Sequence, residues 1–319
     1  MSTARSPRAL VATLALLALV AGCGTDGRAD GGRARVSVPV PWPSGVQETP
    51  TVPTLVADPP CDPRASFRPG APGETVARIR ARGLLRVGAS QIGYLLSYRD
   101  AVTGEMLGFE IDLVREIARD LFGDPGRVQF VSVNTADREP VLRDGMVDLV
   151  VGSMTMTCDR WTRVAFSAEY LGGGQRVLVD RRSAATSLDD LGGKRVCASA
   201  TSTNIRTLAE TRSRPLPVAA ANATDCMVLL QQGQVDAVST SDVILAGLAE
   251  QDRNTRIVGP RFTDEPCGIG MNTKATDLVR FVNGVLERLR GNGEWDRMYQ
   301  KWFQRSLGPG TAPAPRYRD

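Results

Sequence analysis

VLRDGMVDLVVGS at residues 141–153 and LLQQGQVDAVSTS at residues 229–241 carry one pattern. Each reads as the end of a helix, a glycine cap, the run x-Val-Asp-x-Val, and a strand whose end is rich in serine. Gly145 matches Gly233, Asp148 matches Asp236, and Ser153 matches Ser241. Glycine is common where helices end, so two ordinary helix-to-strand turns would share part of this. The match along the whole stretch points further, to two similarly built α/β lobes.

Working outward from the first copy, apolar strands alternate with helices. A helix near 74–82 leads into the strand LLRVGAS (84–90). GFEIDLVREIARDLFG then places Ile111, Val114, Ile117, Ala118, Leu121 and Phe122 on one helical face and ends at Gly123. VQFVSV (128–133) is a strand, REPVLRDG a helix closed by Gly145, and VDLVVGS the next strand. The order β-α-β-α-β predicts a parallel sheet covered by helices.

The second copy sits in a second lobe, residues 171–266. That lobe has strands at RVLVD (176–180) and KRVCAS (194–199) and a helix from about Asn204. The chain then returns through GIGMN (268–272) to helices at 277–290 and 294–303. The first lobe is therefore discontinuous, 76–170 and 267–305, and two segments near 168–175 and 264–270 cross between the lobes. Glycines 172–174 and 268 suit a hinge whose φ and ψ must change, or plain turns. Ligands of open α/β sheets sit beyond the carboxyl ends of the strands. Two facing lobes put both serine-rich strand ends into one central cleft.

Composition removes many functions. The chain of 319 residues is long enough for two cores. It contains no histidine, which excludes Ser-His-Asp and Cys-His nucleophiles and nearly all zinc enzymes. Aromatic residues make up 5%, too few for a base-stacking platform. The formal charge of +4 comes wholly from residues 1–82, which hold ten Lys/Arg and six Asp/Glu. A neutral body argues against nucleic acid as a partner.

The front of the chain is an address. Residues 1–22 have Arg5 and Arg8, an apolar run from Ala9 to Ala21, and small residues before Cys23. The run is too short for the roughly 20 helical residues that a bilayer needs. Leu19-Val20-Ala21-Gly22-Cys23 resembles the bacterial lipoprotein box, which implies an acylated Cys23 and a lipid anchor on the cell membrane. A secretory signal with a chance cysteine is the alternative. Residues 23–75 are proline-dense and read as a tether; residues 306–319 read as a loose tail. Export permits disulfides. Cys197 in a strand and Cys226 after the next apolar segment suit neighbouring parallel strands, so they are paired here. Cys61–Cys158 is the other pairing, pinning the tether's end to the body, and Cys267 is left over. No spacing suggests a metal site.

Residues 153–161, SMTMTCDRW, hold hydroxyls and one guanidinium at a strand end, the equipment for gripping a small carboxylate. Together with LRVGAS and SYRD, GFEIDLVREIA, GMVDLVVGS, VAFSAEY, SLDDLGGKRVCA, GQVDAVSTSD and LRGNGEWDRMYQKWF, they give the resemblance. Over roughly 76–305 the chain resembles the bacterial extracellular solute-binding proteins of family 3, in particular the actinobacterial glutamine/glutamate-binding lipoproteins. The resemblance implies a type II periplasmic-binding-protein-like α/β fold with a central cleft and a two-segment hinge. It implies a monomeric, lipid-anchored, extracytoplasmic receptor that delivers glutamate, glutamine, aspartate or asparagine to an ABC permease, without a cofactor and without catalysis. Carried over residue by residue, Arg160 holds the ligand's α-carboxylate with Gly152, the backbone of Ser153, and Thr155. Ser202 and Thr203 donate from a helix N-terminus, and Ser90, Tyr94 and Phe109 line the wall of the first lobe.

Plainer roles exist for each. Arg160 would serve as a surface ion pair with Asp159 or Glu169, Thr155 as a strand residue, Phe109 as core, and Ser202 or Thr203 as a cap. The chain also departs from the family, which places at Ser241 an aspartate for the ligand's α-ammonium. Here the carboxylate comes one residue late, at Asp242, a shift that on a strand reverses the side chain's face. The approach to SYRD is Tyr94-Leu95-Leu96 rather than proline-rich. The rival functions are an amino-acid sensor that signals to a membrane partner, a small-acid dehydratase using Asp242 or Glu169, and a structural cell-wall lipoprotein.

Overall fold

The computed structural model describes residues 40–52 and 60–319; the expected export signal, Cys23 and the first part of the tether lie outside them. Two five-stranded sheets organise two lobes. In the first, the order is Val128–Ser132, Leu85–Ala89, Leu149–Val150, Gly270–Met271, Ala165–Phe166. In the second it is Leu216–Ala220, Arg195–Ser199, Ala237–Ser241, Gln175–Asp180, Thr255–Val258. In each sheet the leading three strands are parallel and the fourth runs against them.

The repeated sequence pattern marks the third strand of both sheets, and its aspartates do the same work. Asp148 Oδ2 accepts the backbone N–H of Arg86 at 2.8 Å, and Asp236 Oδ2 accepts that of Arg195 at 2.9 Å. Each carboxylate satisfies a donor at the start of the neighbouring strand and so fixes the register between the two. Gly145 and Gly233 stand at φ 67° and 70°, the left-handed conformation that closes the preceding helix.

Period-two alternation builds the second lobe. Val177, Val179, Val196 and Ala198 face one core, while Leu178 and Cys197 face another across the sheet. Cys197 pairs with Cys226 inside that second core, and Cys61 pairs with Cys158. Cys267 is a buried free thiol. In the first lobe the helix Phe109–Phe122 buries Ile111, Val114, Ile117 and Leu121 and ends at Gly123. No helix among the described residues is long and apolar enough to cross a membrane.

The crossing segments are the strands Leu171–Gly173 and Glu265–Cys267, paired antiparallel with Glu265 opposite Gly173. Their glycines are there for space rather than for unusual φ, since none of Gly172, Gly173, Gly174 and Gly268 has a positive φ. A Cβ on Gly173 would stand 2.4 Å from Ser241 Oγ, and one on Gly174 2.5 Å from the Thr263 carbonyl oxygen.

The chain ends differ from expectation. Within the segment expected to be a free tether, Gln47 exchanges two backbone hydrogen bonds with Ala219, at 2.8 and 2.9 Å. Trp42 and Val46 pack beside it on the core of the second lobe. An open sheet edge offers unpaired N–H and C=O groups, and one tryptophan supplies the apolar area that proline-rich chain lacks. Ala65–Ser66 pairs in parallel with Arg316–Tyr317, so the expected loose tail is also held. Asp319 then bonds Arg68 N–H at 2.8 Å.

Candidate functional site

The strand ends of both lobes meet at a cleft containing two cavities of about 70 and 30 Å³, with Thr135, Arg138, Ser153, Ser199 and Ile244 lining both. The lobes touch across it: Thr155 Oγ1 lies 3.5 Å from Thr203 Oγ1, and the Thr224 hydroxyl donates to the Ile92 carbonyl at 3.4 Å.

Arg160 explains the motif that flagged it. Thr157 caps the short helix Cys158–Trp161, its hydroxyl accepting Arg160 N–H at 3.1 Å. The carbonyl of Thr155 accepts from Arg160 Nη1 at 2.7 Å and aims the guanidinium inward. The side chain is buried and lines the smaller cavity. Asp159 pairs with Arg163, and Glu169 pairs with Arg64. Arg160 Nε lies 3.5 Å from Glu139, which it shares with Arg163. Burial, and then the charge of Arg138 beside it, push its pKa down to about 10.

The structure brings Ser90, Tyr94, Gly152, Ser153, Thr155, Arg160, Ser202, Thr203 and Ser241 to the cleft. Several do other work there. The N–H of Ser153, expected to face a carboxylate, donates to Glu110 Oε1 at 2.6 Å, and its hydroxyl donates to the same oxygen at 3.2 Å. Ser153 pays for that arrangement with a φ of 49°, a strained value for a residue other than glycine. Ser202 is occupied as a cap: its hydroxyl accepts Ile205 N–H at 3.2 Å and donates to the Ser199 carbonyl at 2.6 Å. The Thr203 hydroxyl has only the Thr155 hydroxyl, at 3.5 Å, beside it among the described residues.

Two candidates lie away from the cleft. Phe109 is wholly buried among Tyr170, Trp295 and Phe303, with centroids at 6.4, 5.9 and 5.4 Å, and is core. Asp242 opens the helix Asp242–Gln251, and its carboxylate is buried but does not line either cavity. Its Oδ2 meets Arg261 Nε at 2.6 Å, and its Oδ1 accepts Gly174 N–H at 3.3 Å. The strand ends at Ser241, so one step along the chain changes the side of the wall on which a side chain emerges.

Sequence reasoning missed Arg138, Asn204 and Glu265, all of which line the smaller cavity. Arg138 is the first residue of the helix Arg138–Arg143. A cation there opposes the helix dipole, which is the sequence signal that would have marked it. Gly152 makes room for it: a Cβ there would stand 3.3 Å from Arg138 Nε. Burial lowers the pKa of Arg138, opposed by the charge of Glu110 at Coulombic range. Glu265, on the second crossing strand, is 3% exposed, and Asn204 Nδ2 donates to its Oε1. Burial pushes the Glu265 carboxyl above the usual range. The cleft therefore holds two guanidiniums, Arg160 buried and Arg138 half-buried. No group of three or more Cys, Asp or Glu among the described residues is arranged to hold a metal.

Residues 85–305 match the model of the bacterial extracellular solute-binding proteins, family 3. The ABC transporter glutamine-binding protein GlnH of Bacillus subtilis is 32% identical over 232 residues, covering 72% of this chain and 85% of that protein. The glutamate/aspartate import solute-binding protein of Salmonella typhimurium is 25% identical, covering 75% and 83%. The crystal structure of the ancestral amino acid-binding protein AncCDT-1, described as a precursor of cyclohexadienyl dehydratase, superposes with a TM-score of 0.67 at 29% identity, covering 72% of this chain and all of that one.

Proposed function

This chain belongs to the bacterial extracellular solute-binding proteins of family 3, and from that premise we propose that it is a receptor for an acidic amino acid, glutamate or aspartate, which it delivers to an ABC permease. The observation that carries the choice of ligand is the pair Arg138 and Arg160 in one cleft. Two guanidiniums in one cleft repel each other, and Arg160, the buried one, has lost most of its water. A ligand with two carboxylates relieves both costs at once. Arg160, aimed by the Thr155 carbonyl, takes the α-carboxylate, with the hydroxyls of Thr155 and Thr203 beside it. Arg138, in the room left by Gly152, takes the side-chain carboxylate. Glutamine or asparagine would leave Arg138 facing a neutral amide. Ser90 and Tyr94 form the wall under the aliphatic part.

The protein acts outside the cytoplasm, and acylation of Cys23 would tie it to the membrane there. We place it among binding proteins rather than enzymes. Both carboxylates considered for a dehydratase are held in ion pairs, Asp242 with Arg261 and Glu169 with Arg64. Thermal unfolding of a soluble form starting at Thr25, in the presence of each of the twenty amino acids, tests the reading. Ligand binding to the native state raises the midpoint in proportion to the logarithm of concentration over Kd. The expected outcome is a rise with glutamate and aspartate that is lost in Arg160→Ala. No rise with any amino acid refutes the proposal.

A further inference from the structure

Resting on that receptor reading, we infer that Glu265 receives the α-ammonium of the bound amino acid, in place of the aspartate that this chain carries one residue late. The half of the cleft that holds Arg160 is lined by one carboxylate, Glu265, among the described residues. Asp242 is outside it, bonded to Arg261 and Gly174 N–H. Ser241 brings only a hydroxyl to the position. An ammonium group taken out of water needs an anionic partner with satisfied geometry, and the α-ammonium sits on the same carbon as the carboxylate that Arg160 holds.

Glu265 is built for that place. Its strand is the second crossing segment, and Thr155 and Thr203, the hydroxyls next to Arg160, line with it both the smaller cavity and the groove outside. Asn204 donates Nδ2 to Glu265 Oε1, and the Oδ1 of the same amide accepts from Thr240 Oγ1 at 3.2 Å. The carboxylate is thus oriented by a chain of bonds rooted in the second lobe. Glu110 lines the larger cavity and not the one that holds Arg160; its Oε1 is committed to Ser153 and to the Tyr170 hydroxyl, and its Oε2 is buried without a hydrogen-bond partner. With Glu265 included, the walls around the smaller cavity present two cations and one anion. An acidic amino acid presents the complement, two carboxylates and one ammonium.

The test is calorimetric titration of L-glutamate and of glutarate, which is glutamate without its amine, into the wild-type protein, Glu265→Gln and Asp242→Asn. The wild type is expected to prefer glutamate. Glu265→Gln is expected to lose glutamate affinity by roughly 10- to 100-fold, the worth of a charge-assisted hydrogen bond, while glutarate affinity holds or improves. Asp242→Asn leaves the preference in place. A second variant, Glu265→Gln with Ser241→Asp, returns a carboxylate to the cleft and is expected to recover the preference; it also carries the comparison if the single variant does not fold. Wild-type-like glutamate binding by Glu265→Gln, or parallel losses of glutamate and glutarate, overturns the inference while leaving the receptor reading standing. A wild-type protein that binds none of the twenty amino acids takes both down.

Discussion

Replacing Arg138 with methionine separates ligand recognition from folding. The substitution keeps the length of the side chain and removes the charge. That guanidinium is half-buried, shares a cavity with Arg160 and lowers its pKa. The change removes the repulsion from Arg160 and also the attraction to the buried Glu110 at Coulombic range, so the two effects oppose and the ligand-free midpoint is expected to hold. Binding is expected to weaken. Truncating one member of a desolvated charge pair costs about 2–5 kcal/mol, which at 1.4 kcal/mol per decade is roughly 30- to 4,000-fold in Kd. Glutamine presents a neutral amide to the same position and is expected to lose only about tenfold, the worth of an ordinary hydrogen bond. Calorimetry with glutamate, aspartate and glutamine, beside thermal unfolding without ligand, reads both effects. Equal losses for glutamate and glutamine, or no loss for either, would refute the assignment of Arg138 to the side-chain carboxylate. A fall in the ligand-free midpoint would mean that the arginine serves the fold.

Other outcomes follow from the same geometry. Gly173→Ala forces a Cβ to 2.4 Å from Ser241 Oγ, so it is expected to cost about 1–3 kcal/mol of stability and to weaken ligand binding, checked by urea unfolding and titration. Replacing both Cys197 and Cys226 with alanine opens a loop with a sequence separation of 29 and is expected to cost roughly 3–4 kcal/mol in the chain-entropy account, readable as a lower urea midpoint. The raised pKa of Glu265, caused by burial, makes two opposite pH dependences. Its protonated form favours the ligand-free fold, so its stabilising contribution is present at low pH and lost as pH rises through the folded-state pKa. Ammonium binding needs the ionised form, so glutamate affinity is expected to fall as pH drops through that same value, and Glu265→Gln flattens both profiles. Glutamate held with the protein for a day is expected to come back unchanged by mass spectrometry; a dehydrated or deaminated product would support an enzyme.

The two-lobe fold was legible because its signals are local and repeated. Gly145 and Gly233 must end helices, and Asp148 and Asp236 must satisfy a donor on the neighbouring strand, so the same letters recur wherever the same turn is built. Arg160 was legible for a similar reason: the cap at Thr157 and the carbonyl of Thr155 that aim it lie within five residues of it. What was not legible depends on which way a side chain emerges. Asp242 and Ser241 differ by one position, yet the strand ends between them and the carboxylate leaves the cleft. Phe109 satisfies a ligand wall or an aromatic core equally well as a sequence letter, and three aromatic partners decide for the core. Arg138 and Glu265 enter the cleft from a helix start and a crossing strand far apart in the chain, with no shared motif to announce them. Trp42 finds its place beside the strand edge that Gln47 pairs with at Ala219, and Arg316–Tyr317 finds its place on Ala65–Ser66, far away in the chain.

The crystal structure of the protein with L-glutamate tests the central claim most directly. One ligand is expected between the lobes, its α-carboxylate on Arg160, its side-chain carboxylate on Arg138 and its ammonium within hydrogen-bond distance of the Glu265 carboxylate. A glutamate bound anywhere else, or lying in the cleft with neither arginine on a carboxylate, would contradict it.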